Sequence, residues 1–212
     1  YAAGERLGTA LAGAGLHSAI VFGQGVRING SALIGGIQKN VGAGVMLSGG
    51  LAGDNGAFTR TWTIANGTAS DRSIVALGVY APEIKVTHGS FGGWKPFGPV
   101  RRVTRSAGNV LFELDGEPAL GVYKRYLGEY ADRLPGSGLL FPFAMRTSER
   151  EELGIIRTIL GIDEAAGSLI LAGEIHANGF LQLMHASTDA LVDGATQAAQ
   201  QARGGMNGSG DN

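Results

Sequence analysis

The chain has 212 residues, enough for one large domain or two small ones around a sizeable core. It is 44% hydrophobic and 17% charged, and its 17 basic and 18 acidic side chains nearly cancel. That profile excludes a disordered chain and leaves no electrostatic footprint for nucleic acid or an anionic membrane. With no cysteine, disulfides, thiolate zinc sites, iron–sulfur clusters and a thiol nucleophile are excluded as well. No apolar run approaches the roughly 20 residues of a membrane helix, and no basic-then-apolar signal peptide is present, so a cytoplasmic protein is expected. Glycine is the outlier at 37 residues, without a three-residue period, which assigns it to turns and close backbone approaches.

Residues 2–12 carry Leu7 and Leu11 at helical spacing, interrupted by Gly4 and Gly8. The short apolar run 18–22, bounded by Gly15 and Gly23, reads as a strand. A glycine loop follows, and Ser31 is the expected N-cap of a helix to Val41 with Leu33, Ile34, Ile37 and Val41 on one face. Residues 44–48 read as a second buried strand. Residues 61–65 and 73–80 read as a hairpin around the Asn66-Gly67 dipeptide. Further strands are expected at 84–88, 101–105 and 110–114, the last two paired around Gly108-Asn109. Pro118 opens a helix whose face is Leu120, Tyr123, Leu127 and Tyr130.

The Leu-Pro-Gly-Ser-Gly stretch at 134–138 reads as a linker. Strands at 139–143, 155–160, 168–171 and 180–184 then form a meander, the last two joined through Asn178-Gly179. A helix from Thr188 to about Ala202 is capped by Ser187 or Thr188, and residues 204–212 have the make-up of a flexible tail. The expected class is α+β, with mostly antiparallel or mixed sheets, helices packed on them, and two associated modules. The modules are residues 1–133 and 139–203. They are not expected to be stable apart, because about 75 residues make too small a core and the later strands need cover on both faces.

The catalytic menu is short. Gly23-x-Gly25 is followed by Gly30, which is not the dinucleotide spacing, and neither a P-loop nor a nucleophile elbow occurs. Ser48 is the nearest approach to a nucleophile and reads better as a turn residue. His17, His88, His176 and His185 have no zinc spacing. His88 alone stands out, because it leads into a loop at 89–99 with Trp94 and several glycines and prolines, either a plug over a sheet end or one wall of a pocket.

Three strings together resemble the FIST sensory domain: Leu47-Ser-Gly-Gly-Leu-Ala-Gly-Asp54 with Phe58-Thr-Arg-Thr61, Gly92-Gly-Trp-Lys-Pro-Phe-Gly-Pro99 leading to Thr104, and Glu113-Leu-Asp-Gly-Glu-Pro-Ala-Leu120 with Tyr123. Leu140-Phe-Pro, Ile156-Arg-Thr158, Ala172-Gly-Glu-Ile and Leu181-Gln-Leu-Met184 resemble the opening of the family's C-terminal module. The resemblance implies that the chain lacks the start of the first module and the end of the second. It also implies an intracellular sensor of small molecules such as amino acids. Such a sensor reports through a signalling protein partner, since no output domain is recognisable. A branch of the family binds haem and senses nitric oxide, for which His88 is the candidate axial ligand; the cofactor itself is not specified. An enzyme is not expected, the alternative being an acid–base pair of His88 and Asp54. Since the 49–54 turn and the 88–99 loop each follow a strand, they are expected to frame one pocket. Its lining would be Asp54, Arg60, Thr61, His88, Trp94 and Thr104.

Overall fold

The structure, a computed structural model, describes residues 1–81 and 83–207. Its first half is a small α/β layer. Strand β1 (Ser18–Gly23) lies between β2 (Met46–Leu51), which is parallel to it, and β5 (Val75–Val79), which is antiparallel. A parallel pair cannot be joined by a tight turn, and the required crossover is helix α2 (Gly30–Val41). It packs with α1 (Ala2–Leu11) over one face of the sheet, where Leu11, Ala19, Val21, Leu33 and Ile37 form a core. The two helices touch through glycine. A Cβ on Gly4 would strike the Leu33 carbonyl and one on Gly36 the Tyr1 carbonyl, so the glycines that lower helix propensity in α1 are what let the backbones meet.

Several expectations for this half need correction. The cap of α2 is Asn29, whose Oδ1 accepts the Ala32 N–H at 3.0 Å, and Ser31 is already inside the helix. Asn66 and Gly67 do form the hairpin turn, both with positive φ as a two-residue hairpin requires. The hairpin is short, however, pairing β3 (Thr63–Ala65) with β4 (Thr68–Ser70), while β5 turns away to complete the other sheet. Residues 84–88 are not a strand. They run with 89–94 along α4 (Thr188–Asn207), with Gly89 against Ala198 and Gly93 against Ala190.

The second half is built on β6 (Lys95–Ala107), a 13-residue strand that serves two neighbours. Its first part pairs with β13 (Phe180–His185), and its last part with β7 (Val110–Leu114), through the expected turn at Gly108-Asn109. The eight-stranded sheet runs β10-β9-β13-β6-β7-β12-β11, where β9 is Phe143–Arg146, β10 Glu152–Arg157, β11 Ile159–Asp163 and β12 Ser168–Leu171; β8 (Glu117–Pro118) pairs with β7. Helix α3 (Ala119–Leu127) covers it with Leu120, Val122, Tyr123 and Leu127 against Val103, Leu111, Leu114 and Leu169. The Tyr123 ring lies 5.4 Å from that of Phe143, and its hydroxyl donates to the Phe141 carbonyl at 2.7 Å. Burial holds that phenol protonated well beyond its ordinary range.

Here too the sequence reading is corrected. Residues 134–138 are no linker: the Ser137 hydroxyl is buried against the Tyr130 carbonyl at 2.6 Å, and Leu134 packs on the core. The larger sheet draws strands from both sides of that stretch. Leu139 and Leu140 lie in a 3-10 turn, so β9 starts only at Phe143. The single strand expected at 155–160 is two, interrupted at Thr158, whose carbonyl accepts the Ala172 N–H. Strands β12 and β13 are not a hairpin, because β6 and β7 separate them. Helix α4 starts behind Ser187, whose Oγ accepts the Ala190 N–H at 3.2 Å. It continues to Asn207, so residues 204–207 are helical and the rest of the expected tail lies outside the described residues.

Two outcomes check this architecture. Leu111→Ala empties a fully buried position and is expected to cost about 3 kcal/mol, read as a lower urea midpoint at unchanged slope. Residues 139–212 expressed alone lose β6, β7 and α3. They are expected to give a poorly dispersed amide NMR spectrum; a sharp, dispersed one would contradict the interleaved sheet.

Candidate functional site

The carboxyl ends of β1 and β2 point the same way, and open α/β layers bind ligands in the crevice outside such ends. Here the crevice is walled by the loop from Gln24 to Asn29 and by the segment from Ala52 to Trp62. Asp54 shapes the second wall. Its Oδ1 accepts the Phe58 N–H at 3.0 Å, and its Oδ2 accepts the N–H groups of Thr59 at 2.8 Å and Arg60 at 3.1 Å. These donors, Thr59 first, hold its carboxyl below the ordinary value. The walls are tied together by Thr61, 3% exposed, whose hydroxyl accepts the Gly25 N–H at 2.7 Å. Gly25 sits so close to the Ala52 carbonyl that a Cβ would collide with it.

Between these loops lies a polar cavity of about 390 Å³, lined by Gln24, Arg27, Thr59, Arg60, Asp71 and Arg72 together with Val26 and Thr61. The Arg60 Nε meets Asp71 at 3.3 Å, and its guanidinium stands 5.6 Å from the centre of the Trp62 ring. On the sheet face opposite the helices lies an apolar cavity of about 430 Å³, lined by Phe22, Leu51, Trp62, Ile64 and Val75 with the Gly23 and Gly50 backbones. Trp62 is 50% and Phe22 52% exposed, large for aromatic rings with no covering layer.

The structure brings Asp54, Arg60 and Thr61 together, but with divided roles: Arg60 and Thr61 line the cavity, while Asp54 holds its wall from behind. It does not add the other three expected residues. His88 and Trp94 belong to the segment running along α4, where the Trp94 ring folds over Gly92. Thr104 is on β6, its Oγ1 accepting the Gly116 N–H at 2.9 Å. The reason is topological. The expected strand at 84–88 does not form and residues 95–99 already belong to β6, so the segment leads into the large sheet rather than to the first sheet's loops. An Asp54–His88 acid–base pair finds no support, since the Asp54 oxygens are taken up by the 58–60 backbone.

Haem fits poorly too. An axial histidine must face an apolar cavity as wide as a porphyrin, whereas His88 is exposed and the adjoining Gly89 lies tight against Ala198 and Ala202. His185 stacks 5.3 Å from Phe141 and 6.2 Å from Phe97, a surface aromatic group. Among the described residues no three His, Asp or Glu side chains gather as a metal site, and no helix is long and apolar enough to cross a membrane. Sequence reasoning missed Gln24, Arg27, Asp71 and Arg72. Those four sit on segments distant in sequence from one another and carried no local signal; the alternation of Arg60, Trp62 and Ile64 outward against Thr61 and Thr63 inward marked only the adjoining edge.

Comparison with known proteins gives a consistent frame. A model of the FIST N domain matches residues 1–117, and one of the FIST C domain matches residues 119–210. The border falls at Pro118, at the start of α3, rather than at 134–138. Among curated proteins, MJ1623 of Methanocaldococcus jannaschii, named as uncharacterized, is 33% identical over 91 residues; these are 43% of this chain and only 17% of that protein. No solved structure matches the chain.

The Asp54 clamp generates a pH prediction. Its contribution to loop order is complete above the ordinary carboxylate value and fades only as pH falls through the lower folded value. Protection factors of the Phe58, Thr59 and Arg60 amides, which correct for the intrinsic slowing of exchange in acid, should therefore fall only at a lower pH than an ordinary carboxylate would set. Asp54→Asn should lift that protection at every pH.

Proposed function

Since the chain belongs to the FIST family, whose domains are recognised as sensory, ligand-binding domains of signalling proteins, we propose that it binds a small molecule at the carboxyl ends of β1 and β2. Occupancy of that site is read by a separate signalling partner. One observation supports the reading: the walls of the polar cavity are held by Asp54 and by the Thr61–Gly25 bond, and Arg27, Arg60 and Arg72 line the space between them. Preorganised polar groups in a cavity of this size are the usual make-up of a small-molecule site.

The same loop offers a route out. It begins in the cavity wall and ends at Asn29, whose Nδ2 donates to Glu174 at 2.9 Å, next to the Gly30 N–H that donates to the Ala172 carbonyl. A ligand that shifts the loop thereby biases how the small layer sits on the large sheet, the element a partner reads.

A thermal-shift screen of amino acids, organic acids, nucleotides and sugars tests the reading. A true ligand at one hundred times its Kd adds about 2.7 kcal/mol to stability, and Arg60→Gln should abolish the shift without changing the unliganded midpoint. A screen in which nothing moves the midpoint, or in which Arg60→Gln leaves every shift intact, refutes it.

A further inference from the structure

The polar and apolar cavities are lined by different residues but adjoin along two stretches of chain. One wall is continuous in sequence, with Arg60 and Thr61 lining the polar side and Trp62 and Ile64 the apolar side. The opposite wall is continuous as well, since Phe22 and Gly23 line the apolar side and Gln24 the polar side. Arg60 marks the seam, with its guanidinium 5.6 Å from the Trp62 ring centre and its Nε on Asp71. Charge in the polar compartment is unbalanced: Arg27, Arg60 and Arg72 line it against the one carboxylate of Asp71. A guanidinium held through Nε keeps its two terminal nitrogens as a fork suited to a carboxylate. The apolar compartment, at about 430 Å³ and floored by glycine backbone, has the size of a small fused-ring body.

Resting on the small-molecule reading above, we infer that the ligand is an amphipathic anion, a flat apolar body against Trp62 and Phe22 with a carboxylate or similar group between Arg60 and Arg72. Each half explains a feature the other does not. Cation compensation accounts for three arginines in a loop cluster of a nearly neutral chain. An aromatic body accounts for two exposed rings on a face that no helix among the described residues covers. A purely polar ligand leaves Trp62 and Phe22 in water, and a protein segment covering the bare sheet has no call on the arginines.

Naphthalene-1-acetate, its neutral amide and acetate are suitable probes for calorimetric titration, followed by the indole N–H signal of Trp62 in NMR. The acid is expected to bind at least tenfold more tightly than the amide, and acetate more weakly than both. Arg60→Gln should bring the acid down to the amide and leave the amide unchanged. Trp62→Ala should weaken both, with Trp62→Phe as the conservative control; Trp62 is exposed, so neither change threatens folding. Equal binding of acid and amide, an unmoved Trp62 signal, or no binding of either overturns the inference. If the probes fail while an Arg60-dependent ligand emerges from the thermal screen, the sensing reading stands and this one falls. Trp62-dependent self-association in sedimentation would make the apolar compartment an interface between copies, and would equally overturn it.

Discussion

The structure depends on one constraint: a parallel strand pair needs a crossover helix, and a short three-stranded layer with helices on one side has only one covered face. In β1 the alternation is plain. Ala19 and Val21 point into the helix core, and Ile20 and Phe22 point the other way, level with Leu77 and Val75 of β5. Only the β1–β2 pair is parallel, and among the described residues the face of this mixed layer beside the strand carboxyl ends is left without a helix over it. The hairpin β3–β4 only borders it, leaving Ile64 70% and Leu77 63% exposed. The polar cleft at the strand ends and the apolar face beside it are therefore consequences of the same topology.

The second half solves its covering problem differently. Its long strand β6 passes between two groups of strands, and α3 closes the core over Val103, Leu111 and Leu114. Contact with the first layer is narrow and polar. Arg157, half-buried, donates through Nε to the Glu174 carbonyl and through Nη2 to the Ser31 hydroxyl at 3.0 Å. Burial lowers its pKa, with the Glu174 charge opposing, yet a guanidinium keeps its proton throughout the physiological range.

Local structure was legible in the sequence wherever periodicity was strong. Helices α1 and α2, β1, β7, β12 and β13, and the turns at Asn66-Gly67 and Gly108-Asn109 follow from apolar spacing and turn chemistry, whereas α3, expected to reach Tyr130, ends at Leu127 and leaves Tyr130 in a 3-10 turn, 41% exposed. Pairing was not legible, because it depends on contacts distant in sequence. Nothing local in residues 73–80 says that their partner is β1 rather than β3, and nothing in 180–184 places β13 between β9 and β6. Glycine misled at 134–138, where a composition typical of a linker is a buried turn whose Ser137 finds its acceptor in Tyr130. The family resemblance, carried by short strings spread along the chain, survived these errors because it does not depend on which strands pair.

The site was half legible for a related reason. Asp54 and His88 drew attention as chemistry-bearing residues in glycine-rich loops, but a polar side chain in such a loop must first satisfy the backbone around it. Asp54 does this fully, accepting from three successive amides, and so acts as architecture. Its neighbours inherit the freedom it gives up. With the 58–60 backbone pinned, the alternation that follows becomes fixed: Thr61 and Thr63 turn inward to Gly25 and to the Ser73 carbonyl, and Arg60, Trp62 and Ile64 are left outward. A cation and an indole are thus presented side by side on a rigid edge. Their pairing, with the guanidinium 5.6 Å from the indole ring centre, follows from the pinned backbone before them rather than from any single reactive group.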